Sequence, residues 1–304
     1  MNPFPPNIHR IGVFSLSGYA QDDDPRPARG LQLLRDCGLD CVVPAFAGPR
    51  LRGMAASDQE RANAFNQLLQ DPSIDALLAM RGGYGITRLL DRIDWETLRS
   101  RDLPLIGYSD VSALLLTAYA HGCRNLIHGP MVVSEFGRAE KDSAMDATLA
   151  SWARALRGDA CPLPEDVPWQ VLQSGSVAGP LVPTNLSLLT ALVGTGRLPS
   201  LEGTILAVED VGEPTHAIDR MFTQLFDSGT LDGVAGLLFG QFSNGEDAEF
   251  LPSLLSEVAE RIAGPVVAGL PFGHVFPTIS LRVGSPVQLD TSSPKILTSL
   301  NPIA

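Results

Sequence analysis

The chain has 304 residues, about two domains at roughly 100–200 residues each, and is long enough to bury a core. With 44% apolar and 18% charged residues it is not a disordered chain, and 22 basic against 34 acidic side chains give a net charge of −12. Phosphate binding needs concentrated positive charge, so this balance argues against nucleic acid or an anionic membrane as the main partner; one local cationic patch could still hold a carboxylate.

The first six residues, Met-Asn-Pro-Phe-Pro-Pro, lack the basic and apolar regions of a signal peptide. Residues 8–15 read as a strand, 27–37 as a helix with leucines at 31, 33 and 34, and 41–44 as a short strand. Ser57-Asp58-Gln59-Glu60 has capping-box spacing and opens a helix through Leu69. Residues 74–80 form a strand closed by the turn Arg81-Gly82-Gly83-Tyr84-Gly85, with a helix to Leu90; 103–108 is a strand and 110–121 an apolar helix. This β–α alternation is the pattern of a parallel sheet covered on both faces, where ligands bind beyond the carboxyl ends of the strands. Residues 158–178, proline-rich at their start, read as a linker between a domain at 1–157 and another at 179–304. In the second, strands at 203–208, 234–240 and 265–270 alternate with helices at 216–226 and 251–262, and 278–300 has strand-and-turn character with turns at Ser285-Pro286 and Ser292-Ser293-Pro294. Nowhere do 18 apolar residues run together, so no membrane span is expected. Cys37, Cys41, Cys123 and Cys161 are scattered, with neither zinc spacing nor a disulfide framework, and read as small core residues of a cytoplasmic protein.

The segment Leu105-Ile106-Gly107-Tyr108-Ser109-Asp110-Val111-Ser112 carries the strongest chemical signal. A serine between a buried strand and a helix, two residues after a glycine, can expose its hydroxyl on a tight turn, with the following amides at a helix N-terminus where negative charge is stabilised. Val111 stands where a nucleophile elbow has its second glycine, and the alternative is that Ser109 or Asp110 only caps the helix. The turn at 81–85 is neither a Walker loop nor G-x-G-x-x-G; its glycines let amides approach a ligand, or merely supply positive φ. Of His9, His121, His128, His216 and His274, the last lies on a loop just past a strand, in Gly269-Leu270-Pro271-Phe272-Gly273-His274. Glu209 and Asp210 end a strand and Glu213 follows, but no metal-site spacing accompanies these acids.

Five motifs in order, Met80 to Gly85, Gly107 to Asp110, His128 to Met131, Val208 to Glu213 and Gly269 to His274, resemble the LD-carboxypeptidase family, the murein tetrapeptide carboxypeptidases, from about Ile11 to Leu289. The resemblance implies a flavodoxin- or Rossmann-like parallel-sheet domain followed by a smaller, swivelling, barrel-like α/β domain. It further implies a Ser-His-Glu triad: Ser109 as nucleophile, Glu209 as orienter and His274 as base, with Asp110 and Gly83 amides as the oxyanion hole. Arg81, Gly82 and Tyr84 are the expected substrate contacts. Neither a metal nor an organic cofactor is required, the substrate is a murein peptide, and a homodimer is expected. An alternative within the family is an immunity peptidase acting on a microcin C-type peptidyl-nucleotide antibiotic. From another class, a non-enzymatic protein could use Arg81-Gly82-Gly83 to hold a phosphate or carboxylate. Ser15-Leu16-Ser17-Gly18 and Pro183-Thr184-Asn185-Leu186 depart from the family's usual Ala-Pro-Ser-Gly and Gly-Gly-Asn-Leu, which bears on substrate preference.

Overall fold

The computed structural model describes residues 4–46 and 50–300; the first three residues of the proline-rich lead, and residues 301–304 of the expected second domain, lie outside them. Strands β1 (Arg10–Phe14), β2 (Asp40–Val42), β3 (Ala76–Ala79), β4 (Leu105–Gly107) and β5 (Leu126–His128) form a parallel sheet in the order 2-1-3-4-5. That is the flavodoxin-like order, whose topological switch point lies between β1 and β3. β3, β4 and β5 are buried at every position because helices cover both faces. The main helices are α1 (Arg26–Asp36), α2 (Asp58–Gln70), α3 (Trp95–Arg101), α4 (Val111–Ala120) and α5 (Ser143–Leu156). The capping box at Ser57 is complete, its hydroxyl accepting from the Glu60 amide while the Glu60 carboxylate accepts from the Ser57 amide.

Several elements differ from expectation. The helix after the glycine turn is replaced by two 3₁₀ turns, Ile86–Arg88 and Leu90–Arg92. Gly85 enters them at φ 117°, the Ile86 amide is taken by the Asp110 carboxylate at 3.1 Å, and Asp94 already caps α3. α5, which the sequence reading passes over, is capped by Asp142 and buries Trp152 against the rings of Phe4 and Phe136. The stretch 158–178 is only in part a linker: β6 (Gln170–Gln173) lies in it and β7 (Ser176–Asn185) begins there. Cys123 and Cys161 are buried as expected, whereas Cys37 and Cys41 are half-buried, Cys41 because β2 is an edge strand.

The second sheet adds β8 (Ile205–Val211), β9 (Gly236–Ser243), β10 (Val266–Ala268), β12 (Ser285–Asp290) and β13 (Leu297–Ser299), in the order 13-12-7-8-9-10-6. It is a mixed sheet curled into a half-barrel, so the two-domain α/β architecture is as expected. Ser285-Pro286 opens a strand and not a turn: Pro286 faces Pro180 of β7, and its carbonyl turns the other way to accept from the Leu300 amide at 3.0 Å. β11 (Leu281–Arg282) leaves this half of the chain and pairs antiparallel with β5 at the edge of the first sheet.

α4 explains why the halves adhere. It is apolar all round, and such a helix must be covered on every side. One apolar cluster joins its Leu114 and Leu115 to Leu186, Leu189 and Leu192 of α6 (Leu186–Leu192) and to Phe222 of α7 (Thr215–Asp227).

Candidate active site

Ser109 sits between β4 and α4 at φ 62°, in the left-handed region where a non-glycine residue is strained by of order 1 kcal/mol. The turn closes on itself, the Val111 amide donating to the Tyr108 carbonyl at 3.2 Å and the Ser112 amide to the Ser109 carbonyl at 2.8 Å. Gly107 lets the helix pack this close: a β-carbon there would lie 2.8 Å from Val111 Cγ1 and 3.0 Å from Ala79 Cβ. Neither capping alternative survives. Ser109 Oγ has no hydrogen-bond partner among the described residues, and Asp110, at the N-cap position, makes no side-chain cap. The Asp110 carboxylate instead accepts from Ser17 Oγ at 2.7 Å and from the Ile86 amide, tying together the loops after β1 and β3. Burial raises its pKa, an effect those two hydrogen bonds and the nearby Arg61 oppose.

The glycine turn after β3 meets Ser109 on its β4 side and the loop after β1, across the switch point, on the other. A β-carbon on Gly82 would come within 2.8 Å of both Ser109 Cβ and Oγ, so this turn lies directly against the serine side chain. Gly83, at φ 135°, is pressed against Gly18, whose amide nitrogen would stand 2.9 Å from a Gly83 β-carbon. Arg81 directs Nε to the Gly82 carbonyl at 3.1 Å and Nη1 to the Tyr19 carbonyl at 2.7 Å, so much of its guanidinium braces the loops. The Tyr84 side chain is exposed and its hydroxyl donates to the Arg52 carbonyl.

Glu209 and His274 are in direct contact. Glu209 is fully buried at a bulge where β8 shifts register against β9, and this irregularity allows successive Glu209 and Asp210 both to be buried. Its Oε2 lies 2.7 Å from His274 Nδ1 and accepts from the His274 amide at 3.1 Å; Oε1 accepts from Asn185 Nδ2 at 3.3 Å. Two glycines make room. A β-carbon on Gly273 would stand 2.2 Å from Glu209 Oε2, and one on Gly240 would stand 2.3 Å from the Phe272 ring. Burial alone would lower the His274 pKa, but the hydrogen bond and charge of Glu209 outweigh it and the net shift is upward. With Nδ1 on the carboxylate, Nε2 is the nitrogen left for proton transfer.

Asn185 is a functional residue that sequence reasoning placed in a variable motif without a role. It caps α6, donates its side-chain amide to both Glu209 and Asp210, and donates its backbone N–H to the Ser112 hydroxyl of α4 at 3.2 Å. Asp210 is taken up by Asn185 and by the Ser187 and Val211 amides. No group of three potential metal ligands gathers among the described residues, Glu209, Asp210 and Glu213 included.

Behind the serine and the histidine lies a buried polar layer. The Tyr108 ring packs edge-on to His274 with centroids 4.8 Å apart and tilted to His128 at 5.7 Å, linking the residue before Ser109 to the imidazole. His128 Nε2 lies 3.9 Å from Glu209 Oε1 and has no hydrogen-bond partner; burial first, then the charge of His274, lowers its pKa to about 3. The Tyr108 hydroxyl donates to Glu135 Oε1 at 2.8 Å. His121 stacks on Trp95, and His9 lies before β1, outside this group.

Comparison with known proteins follows the same two-part division. Residues 11–129 match the LD-carboxypeptidase N-terminal domain and residues 178–289 the LD-carboxypeptidase C-terminal domain. The chain is 32% identical to the murein tetrapeptide carboxypeptidase of Pseudomonas aeruginosa, over 80% of this chain and 81% of that one. It is 27% identical to the microcin C7 self-immunity protein MccF of Escherichia coli, over 94% and 92%. A structure of MccF superposes with a TM-score of 0.89 at 25% identity, covering 99% of this chain and 98% of the other. The muramoyltetrapeptide carboxypeptidase of Oxalobacter formigenes gives 0.81 at 28% identity, covering 93% and 95%. Two family domains matched in sequence order, one on each sheet, mean that this chain belongs to the LD-carboxypeptidase family and is a peptidase.

Proposed function

We propose that the protein is a serine-type LD-carboxypeptidase that removes the terminal D-alanine from a murein tetrapeptide, leaving a tripeptide. The observation that carries this reading is the buried Glu209 carboxylate 2.7 Å from His274 Nδ1, in a site whose Tyr108 joins that imidazole to the left-handed turn at Ser109. A serine hydroxyl is a weak nucleophile until a base takes its proton. His274 Nε2 accepts the proton of Ser109 Oγ as the oxygen attacks the carbonyl of the diamino acid, and Glu209 stabilises the imidazolium. The tetrahedral oxyanion is met by the Asp110 amide at the start of α4 and by that of Gly83. The same imidazolium then protonates the leaving nitrogen of D-alanine, and a water activated by His274 hydrolyses the acyl-enzyme.

Ser109 Oγ is without a partner here, and substrate tightens such contacts in many enzymes. Arg81, with Gly82 and Tyr84 beside it, is the group proposed to receive the terminal carboxylate, since a guanidinium matches that geometry. Serine, base and acid suffice for the chemistry, so no cofactor enters it. The proposed domains, 1–157 with the nucleophile and 179–304 with the acid and base, share one cleft, and the protein is proposed to act as a cytoplasmic homodimer in peptidoglycan recycling. No helix among the described residues is long and apolar enough to cross a membrane.

Incubating the protein with tetrapeptide and following the mass should show loss of one alanine. Ser109→Ala should reduce that rate by orders of magnitude with the fold intact, and a near-normal rate would sink the assignment. A second reading is favoured by the close superposition on the self-immunity protein: cleavage of a peptidyl-nucleotide by the same three residues. Competing both substrates at equal concentration distinguishes the two.

A further inference from the structure

Glu135 plays no part in the triad, yet it is fully buried in a π-helical turn, Val132–Phe136, and such turns are frequent at functional sites. Its two oxygens are each committed. Oε1 accepts from the Tyr108 hydroxyl and Oε2 from the Met131 amide, both at 2.8 Å. Tyr108 in turn is the residue before Ser109 and the edge-on neighbour of the His274 ring. One chain of contacts therefore runs from a buried carboxyl group, through a phenol, to the His274 imidazole, and the same phenol's backbone leads directly into Ser109.

We propose that Glu135 is a positioning residue for the reaction, anchoring the Tyr108 phenol so that its ring holds the His274 imidazole toward Ser109. This rests on the reading of His274 as general base. Without the anchor the buried phenol would lose its carboxyl acceptor and keep only its contact with the Ser134 side chain, so its ring would be held against His274 by packing alone. A buried acid costs stability unless hydrogen-bonded, and of its two hydrogen bonds one goes to the Met131 amide and the other to the phenol whose ring packs on His274.

Glu135 is also electrically coupled to the site. Burial pushes it up to about 7 against the opposing effects of the Met131 amide and the Tyr108 hydroxyl, so its charge turns over near neutral pH. Its negative charge raises the His274 pKa, alongside the larger effect of Glu209. The charged groups that act on it are His274 and Arg138, which follows the turn. α1 brings Arg29 to the Gly137 carbonyl, and α5 packs its Trp152 ring against Phe136 of the turn.

The test uses Glu135→Gln, Tyr108→Phe and the double variant, each checked for folding by its thermal melt. D-alanine release is read as kcat and KM, and the His274 imidazole is titrated by NMR in the unliganded protein. Tyr108→Phe, which removes the hydrogen bond, should lose about tenfold in kcat with KM within about twofold; Glu135→Gln, whose amide still reaches the phenol, should lose less, and the double should be no worse than Tyr108→Phe because both act on one link. In Glu135→Gln the His274 midpoint and the acid limb of kcat/KM should move down by about 0.5 to 1 unit, since a negative charge has gone. Folded variants with kcat within about twofold of wild type and an unmoved midpoint would overturn the proposal, as would losses that multiply in the double variant. If Glu135→Gln does not fold, the kcat and KM of Tyr108→Phe decide. Failure of the wild type to release D-alanine would instead refute the substrate reading, and the NMR titration would still test the coupling.

Discussion

Replacing Gly273 with alanine tests the acid–base pair without touching either member. The added β-carbon would stand 2.2 Å from Glu209 Oε2, whereas ordinary contact begins near 3.4 Å, so the carboxylate must retreat by the difference, 3.4 − 2.2 = 1.2 Å. Starting from 2.7 Å, the bond to His274 Nδ1 would then pass beyond hydrogen-bonding reach. A charge-assisted hydrogen bond contributes about 1.5–3 kcal/mol, and each 1.36 kcal/mol at the transition state is a factor of ten, so kcat should fall about 10- to 100-fold. Independently, φ of 87° at this residue strains any side chain by about 1–2 kcal/mol, lowering the melting temperature by several degrees. D-alanine release by mass spectrometry and a thermal melt read the two effects separately. A variant that loses stability but keeps kcat within about threefold would refute the argument that the Glu209–His274 contact drives the reaction.

Gly82→Ala should leave the fold intact, because its φ is not positive, while placing a methyl group 2.8 Å from Ser109 Oγ. A serine-directed fluorophosphonate should then label Ser109 at least tenfold more slowly, and an unchanged labelling rate would show that the turn does not confine the serine. Stability against pH should carry the opposed signatures of two buried groups. His128 is held near 3 against an ordinary 6.5, so the unfolded chain binds the extra proton and stability falls as pH drops from 6.5 towards 3. Glu135 is held near 7 against an ordinary 4.5, so the folded chain binds the extra proton and stability falls as pH rises from 4.5 to 7. Their slopes cancel between about 4.5 and 6.5, and Glu135→Gln should expose a loss of about 1.4 kcal/mol per unit of falling pH there, read from denaturant midpoints. Parallel profiles for variant and wild type in that window would contradict the assignment.

The parts of the site that the chain spells out are those with a positional signature. A strand, a glycine, a serine and an apolar helix announce the turn at Ser109 because each residue type is required locally; Gly107 and the all-apolar α4 are direct readings of the packing they undergo. The position of Glu209 at a strand end was legible, but not the bulge that buries it, since register is decided by neighbouring strands. Asn185, His128 and Glu135 were illegible as a group: the contact that places each in the site, to Glu209 or to Tyr108, reaches across 24 or more residues. The 3₁₀ turns after Gly85 show the same limit, because the Asp110 carboxylate that takes the Ile86 amide comes from another strand's loop.

β11 gives the molecule an order of completion. The segment carrying His274 leaves β10 of the second sheet and runs into β11, which closes the edge of the first sheet beside β5. During synthesis the β5 edge therefore waits, unpaired, until more than 280 residues have been made. The strand that seals it follows His274 by seven residues, so on the proposed roles a chain truncated before it would hold the serine turn without its base in place. With Ser109 and His274 in their proposed roles, pairing of β11 separates in time the making of the serine turn from the arrival of its base.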